Sequence, residues 1–237
     1  MSAHAFFTLR IFGSCRRLLL GVRASLGFSA LLLISACTKT PPSEYTSPAV
    51  FPQQTQQFQL IKQELFADPM NGLGLRYQDK SKPGSHFDVN MYPVGGLHWQ
   101  QIAAIVDGEI AAILADRDYA ISQGQWQEKR AVVRTPVTIA GQAGVRVNWY
   151  LWAPAKIQHE IVFLFLQQDK WIKISFYRNA ANYLEADAQN LVKQAESAVW
   201  QLLPALHAPP ESPQVAQKRA EHAAKIKAKA LELLQAK

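Results

Sequence analysis

The sequence predicts an α+β domain: an antiparallel sheet built from a hairpin or three strands, a helix, a four-strand meander and a closing helix, followed by a separate C-terminal helix. Three observations predict it. Short runs alternate apolar with polar residues between Gly, Pro, Asn and Asp, as where Leu73, Leu75 and Tyr77 are interleaved with Gly74 and Arg76. Two longer stretches, near residues 102 and 184, repeat apolar residues every three or four positions. The gaps between neighbouring strand-like runs are of hairpin length, too short for the crossovers that parallel strands require.

The chain opens with a segment that reads as an export signal. Residues 25–35 are a short apolar run after Arg23, shorter than the roughly 20 residues of a membrane-spanning helix. A positive flank, an apolar core and small residues before a cleavage point make a signal peptide. The run ends in Ile34, Ser35, Ala36 and Cys37, which resembles the bacterial lipobox. That resemblance implies a signal peptide over 1–36 and a lipidated Cys37 as mature N-terminus, carrying palmitate among three acyl chains. Two or more chains are what stable anchoring takes. In enteric bacteria Asp after the cysteine retains lipoproteins in the inner membrane; Thr38 here makes the outer membrane the expected address, with the inner membrane as the alternative.

Residues 37–56 hold Pro41, Pro42, Ser43, Ser47, Pro48 and Pro52 without an apolar period, and are expected as the lipidated Cys and a flexible tether. Fully extended, such a segment reaches about 60 Å. The α+β domain is expected over 57–203. Its first strand covers 58–66 and ends in the turn residues Asp68, Pro69, Asn71 and Gly72. The second follows at Leu73. Lys82, Pro83 and Gly84 turn the chain into a third, where Phe87, Val89 and Met91 alternate with Asp88, Asn90 and Tyr92. A helix comes next. Ile102, Ile105, Val106, Ile110, Ile113, Leu114 and Ile121 make one wide apolar stripe, and Gly124 closes it. Asp107, Glu109, Asp116, Arg117 and Asp118 occupy its polar face.

Residues 126–153 read as strands with a hairpin turn at 141–144. In the second of these, Val145, Val147, Trp149 and Leu151 alternate with Arg146, Asn148, Tyr150 and Trp152. Residues 157–166 are almost continuously apolar, so that strand is expected in the middle of the sheet with both faces covered. Ile172, Ile174 and Phe176 then alternate with Lys173, Ser175 and Tyr177. Asn179 is the expected N-cap of a second helix, whose stripe is Leu184, Ala188, Leu191, Val192, Ala195, Val199 and Leu202, ended by Pro204. Residues 204–213 form a Pro-rich linker, and 214–237 a basic helix rich in Ala and Lys.

Charge and cysteine usage narrow the function. The formal net charge is +7 over 237 residues, but residues 38–203 hold 15 basic and 15 acidic side chains. The excess sits in the leader and in the tail, where six basic residues face three acidic ones. The body has no basic face for nucleic acid. Both cysteines, Cys15 and Cys37, precede the domain, which removes thiolate nucleophiles, disulfides and thiolate metal sites from it. No phosphate loop, dinucleotide glycine motif, nucleophile elbow or paired-histidine zinc helix is present.

A few residues stand out. His86 and Asp88, two apart on a strand, share a face, and a returning His98 would make a three-ligand metal set; polar residues at a strand start are the simpler account, and no metal or cofactor is expected. His159 and Glu160, being adjacent, point to opposite faces and form no dyad. Glu109 and Asp116 read as a solvated face. Arg146, Asn148, Tyr150 and Trp152 make a polar-aromatic row that can bind a glycan or a peptide, or serve as a face covered by a helix. On the last helix Lys218, Lys225 and Lys229 line up with His222 beside an arc of Val215, Ile226, Ala230, Leu233 and Leu234, a weakly amphipathic surface for anionic lipid, peptidoglycan or a protein.

The order of elements over roughly 57–203 resembles the PsbP/DcrB-like α/β/α sandwich family, which includes periplasmic lipoproteins and extrinsic photosystem subunits. The resemblance implies an accessory or stabilising binding role and carries no catalytic residues. The expected protein is therefore a lipid-anchored periplasmic module, more accessory than enzymatic, with the bilayer as its first partner and an envelope protein or peptidoglycan as a possible second. The rivals are a small envelope hydrolase with an unrecognised site and a protein whose basic tail meets cell wall or membrane.

Overall fold

A computed structural model describes residues 45, 50–81, 85–95, 102–154, 156–180 and 185–235. The expected signal peptide over 1–36, Cys37, Thr38, His98 and Leu184 lie outside the described residues. The described residues belong to one compact unit. Among them no helix is long and apolar enough to cross a membrane.

Seven strands form one sheet. They are β1 (Phe58–Leu65), β2 (Leu73–Asp79), β3 (His86–Pro93), β4 (Glu128–Ile139), β5 (Gln142–Ala153), β6 (Lys156–Gln167) and β7 (Lys170–Ala180). The order is β1-β2-β3-β7-β6-β5-β4, and every neighbouring pair is antiparallel. The meander is thus joined to the first three strands through β3 and β7, where Val89 lies opposite Ile174. The sheet is more extensive than a four-strand meander beside a hairpin. β6 lies inside it, with residues 159–165 all buried, as its continuous apolar run led us to expect.

Two helices cover the two faces. Helix α1 (Ile102–Ser122) sets Ile110 and Ile113 against Val147, Trp149, Val162, Leu164 and Trp171. Helix α2 (Glu185–Leu202) sets Ala195, Ala198, Val199 and Leu202 against Ile161, Phe163, Phe165, Ile172 and Ile174. The alternation of side chains along β6 and β7 sorts these residues to opposite layers, so the layers are α/β/α. Gly124, at a φ of 72°, ends α1, with its N–H donating to the Ile121 carbonyl. Ile102, expected in the α1 stripe, is 56% exposed at the helix start, beyond the sheet that buries Ile110 and Ile113.

Other local expectations are corrected. Asn179 caps no helix: it is still in β7, opposite Gln158, and α2 begins at Glu185. The β4–β5 turn is Ala140 and Gly141, both at positive φ as a two-residue hairpin loop demands, with Ile139 opposite Gln142. Gly144 is no part of that turn. It lies within β5 opposite Phe165, where a Cβ would stand 2.5 Å from the Phe165 ring.

Packing also extends beyond residues 57–203 on both sides. Tyr45, Val50 and Phe51, from the expected tether, are buried in the α2-side core beside Leu203, Leu206 and Ala208. The His207 N–H donates to the Val50 carbonyl at 2.9 Å. The C-terminal helix α3 (Pro213–Gln235) is not separate at its root, because Val215 and Arg219 are buried. Proline breaks the helix between α2 and α3, but the break redirects the chain across the domain instead of releasing it.

Candidate functional site

Arg146, Asn148, Tyr150 and Trp152 share one face of β5, on the α2 side of the sheet. Arg146 is held from two directions: one guanidinium nitrogen is bonded by Glu196 of α2, and the other donates to Thr135 Oγ1 of β4 at 3.1 Å. Asn148 is half-buried opposite Val133 and Ile161, and Val133 is 46% exposed. Tyr150 stacks on His159 of β6, ring centroids 4.2 Å apart and 16° from parallel. Trp152 closes the row with the Arg130 guanidinium 5.0 Å over its ring. His159 and Glu160 do point to opposite faces, as their adjacency requires.

Three buried polar atoms in and beside this row find no hydrogen-bond partner: Arg146 Nε, Asn148 Oδ1 and His159 Nε2. Such an atom costs about 1–3 kcal/mol when left unsatisfied, so three on one patch are a feature to be explained. Burial also holds His159 neutral, pushing its pKa down to about 4. The row is therefore close to electrically neutral at its centre, with Arg146 compensated by Glu196.

The opposite face carries a polar group that sequence reading missed. Arg117 of α1 turns inward, and its Nε donates to Glu160 at 2.7 Å, where the Glu160 side chain is 3% exposed; Gln158 donates to the other carboxylate oxygen. Tyr92 donates its hydroxyl to Glu109, and Lys173 stands 5.4 Å over the Tyr92 ring. Desolvation lowers the Lys173 pKa, and Arg117 acts in the same direction against the pull of Glu109, Asp116 and Glu160. Glu109 is thus turned to the sheet, which corrects its reading as part of a solvated face, whereas Asp116 is exposed. Beyond α1, Arg76 grips Asp88 with two bonds of 2.6 and 2.9 Å on the floor of an open cleft of about 130 Å³ that Phe66, Gly74 and Asn90 also line. Asp88, a candidate metal ligand with His86, is committed to Arg76, and His86 is exposed at the strand start. The signal for this group was the second polar alternation, Asp88-Asn90-Tyr92 and Lys173-Ser175-Tyr177; that the two runs lie side by side was not readable.

A third cluster fixes the C-terminal helix. Arg219 donates to the Val94 carbonyl and to Asp169 Oδ2, both at 2.8 Å, and pairs with Glu211. Lys170 donates to Asp169 Oδ1 at 2.8 Å, and all three of Asp169, Lys170 and Arg219 are buried. Past Arg219 the helix rises out of the packing. Lys218, Lys225 and Lys229 are exposed, as is Ile226. Of the tail's basic residues, Arg219 is spent internally.

No family model matches the chain, and no curated protein matches it. Among solved structures it is similar to the cyanobacterial PsbP of Synechocystis sp. PCC 6803, at 11% identity and a TM-score of 0.38, over 65% of this chain and 82% of that one. It is also similar to PA94, a Pseudomonas aeruginosa protein of unknown function, at 13% identity and a TM-score of 0.32, over 63% and 83% of the two chains.

Proposed function

We propose that this chain is a bacterial envelope lipoprotein, anchored through Cys37 and facing the periplasm, whose folded unit is an accessory binding module and not an enzyme. The observation that carries the reading is how its charges are used. Arg76 with Asp88, Arg117 with Glu160, Arg146 with Glu196 and Arg219 with Asp169 are closed into pairs between elements. A hydrolytic site instead needs a base and a nucleophile converging on one accessible point. The β5 row, with its unpartnered polar atoms, is the face we assign to the ligand.

Metabolic labelling with a fatty-acid analogue tests the anchor: wild type should label and Cys37→Ala should not, while equal labelling of both would sink it. In-cell crosslinking from a photoreactive residue at Val133, beside the row, tests the module. Specific adducts are expected there, whereas adducts that concentrate instead on α3 would favour a second reading. In that reading Lys218 beside the Arg219 clamp, with Lys225 and Lys229 beyond it, all exposed, carry contact with an anionic surface. Each is worth roughly 1 kcal/mol near such a surface.

A further inference from the structure

We infer that the outer half of α3 is a membrane-contact helix, lying on an anionic phospholipid bilayer with Ile226 turned into it. The inference rests on reading the chain as an envelope lipoprotein and names the surface that its last helix meets. The first observation is unspent charge. Arg219 is taken by Asp169 and Glu211. Lys218, Lys225, Lys227 and Lys229 are exposed, and among the described residues none of the four is in an ion pair. The second is the order of residues around the helix. At the helical period Val215, Arg219, Ala223 and Ile226 follow one another on one face. Val215 and Arg219 are buried, Ala223 is half-buried, and Ile226 is 58% exposed, so the face that docks at the root runs on without cover. The sequence continues it with Ala230 and Leu233. Lys225 and Lys229 border this face on one side and Lys227 on the other, while Ala228 and Glu221 lie opposite, where Gln217 donates to Glu221 at 2.8 Å. An apolar face flanked by lysines, with acid on the far side, suits a helix lying in a lipid interface, the lysine stems crossing its border.

The third observation is position. The His207 N–H donates to the Val50 carbonyl, the Ala208 N–H to Gln167 at 3.0 Å, and Lys170 to the Pro210 carbonyl at 3.4 Å. The segment holding Val50 and the start of α3 therefore both lie by the turn between β6 and β7. Tyr45 is buried in the same cluster as Ala208. Tyr45 is eight residues after Cys37, a stretch that spans at most about 30 Å. A lipid on Cys37 thus keeps the root of α3 close to the bilayer, and α3, with 23 residues, is about 35 Å long. An anionic leaflet attracts the unpaired lysines. A second copy of α3 is the poorer occupant, since lysines would oppose lysines. Peptidoglycan offers no apolar phase for Ile226.

The test uses residues 38–237 without lipid, which keep every described residue. Flotation with vesicles of phosphatidylglycerol and phosphatidylethanolamine is compared with flotation with phosphatidylcholine vesicles. Binding to the anionic vesicles should be at least tenfold tighter, and the preference should vanish in 1 M salt, where the screening length is about 3 Å. Lys225→Gln, Lys227→Gln and Lys229→Gln together should remove most of the preference with an unchanged circular-dichroism melt, because all three side chains are exposed. This stretch of chain holds no cysteine, so Ile226→Cys and Ala228→Cys each carry a single environment-sensitive dye. The dye at position 226 should brighten on anionic vesicles and the dye at 228 should not. Equal affinity for the two vesicles, a preference that survives the lysine substitutions, equal brightening at 226 and 228, or tighter binding to purified cell wall than to anionic vesicles overturns the proposal. The anchor is judged apart, because the chain tested carries no lipid. A labelled Cys37 without vesicle preference leaves the anchored module standing and takes α3 off the membrane, whereas vesicle preference with an unlabelled Cys37 removes the anchor alone.

Discussion

One sheet presents two faces, built by the same strands, and the faces hold together by different means. On the α2 side apolar residues run without a break from Leu73 and Leu75 through Val89 and Ile174 to Ile161 and Phe163. On the α1 side the apolar patch is confined to Val94, Val147, Trp149, Leu151, Val162, Leu164 and Trp171 beneath the helix. The same face then turns polar at Glu160, Lys173 and Ser175 and reaches the Arg76–Asp88 pair. Alternation forces each strand to serve both layers, so a strand rich in apolar residues, such as β6, still delivers Glu160 to one face beside Ile161 on the other. The contrast teaches that α2 closes a continuous core and meets a charged group at its β5 border, where Glu196 pairs with Arg146, while α1 closes a core at one end and an ionic layer at the other.

Substitutions should read this contrast in size. Phe163→Ala, which opens a cavity in the continuous core, is expected to cost about 3–5 kcal/mol in urea unfolding, the largest of these effects. Arg117→Ala removes no core volume but leaves Glu160 buried with only Gln158 as partner; the expected loss is roughly 3 kcal/mol. Arg117→Met with Glu160→Gln should recover most of that loss, since a neutral pair needs no buried compensation. If Arg117→Ala proves silent, the Glu160 carboxylate is reached by water and the two faces are less different than their burial says.

His159 offers a measure in pH. Its imidazole is free to take a proton in the unfolded chain near pH 6.5, while in the folded chain burial holds the pKa at about 4. Above pH 6.5 neither state binds the proton, and the group has no effect on stability. Between 6.5 and 4 the unfolded state binds it and the folded state does not, so stability falls as pH falls; below 4 the loss is complete. Its size is on the order of 3 kcal/mol. Carboxylates titrate in part of the same window, so the quantity to measure is the difference between wild type and His159→Phe. That difference should grow as pH drops from 6.5 to 4 and stay flat from 7 to 8.

Much of this was readable from the chain. Alternation placed β2, β3, β5 and β7, the three- and four-residue period placed α1 and α2, Ala and Lys composition placed α3, and the unbroken apolar run of β6 marked an interior strand. What failed to read had physical reasons. Asn179 looked like a cap because Asn satisfies orphan helix N–H groups, yet pairing with Gln158 extended β7 past it. Proline at 209, 210 and 213 looked like a linker, yet buried Arg219 and Val215 tie the next helix down through partners 50 and more residues away. The β5 row was visible as an alternation, but its unpartnered atoms and the stack of Tyr150 on His159 depend on β6 lying beside it. The Arg117–Glu160 pair depends on how α1 crosses the sheet, which no local pattern records.

The smallest effect should come from the outer end of the ionic layer. Arg76 and Asp88 make the better geometry, two bonds of 2.6 and 2.9 Å, but their side chains are 28% and 22% exposed, where Glu160 is 3% exposed. Water in the cleft solvates both partners, so their attraction is weakened and neither is left stranded when the other is removed. Asp88→Asn is expected to cost about 1 kcal/mol or less. A double-mutant cycle with Arg76→Gln should give a coupling well below that of Arg117 with Glu160. In 1 M salt, where the screening length is about 3 Å, the Arg76–Asp88 coupling should shrink further while the pair made with buried Glu160 keeps more of its own. Equal couplings at the two pairs, or equal salt responses, would mean that geometry and not burial sets the strength of the layer, and the distinction between its inner and outer ends would be lost.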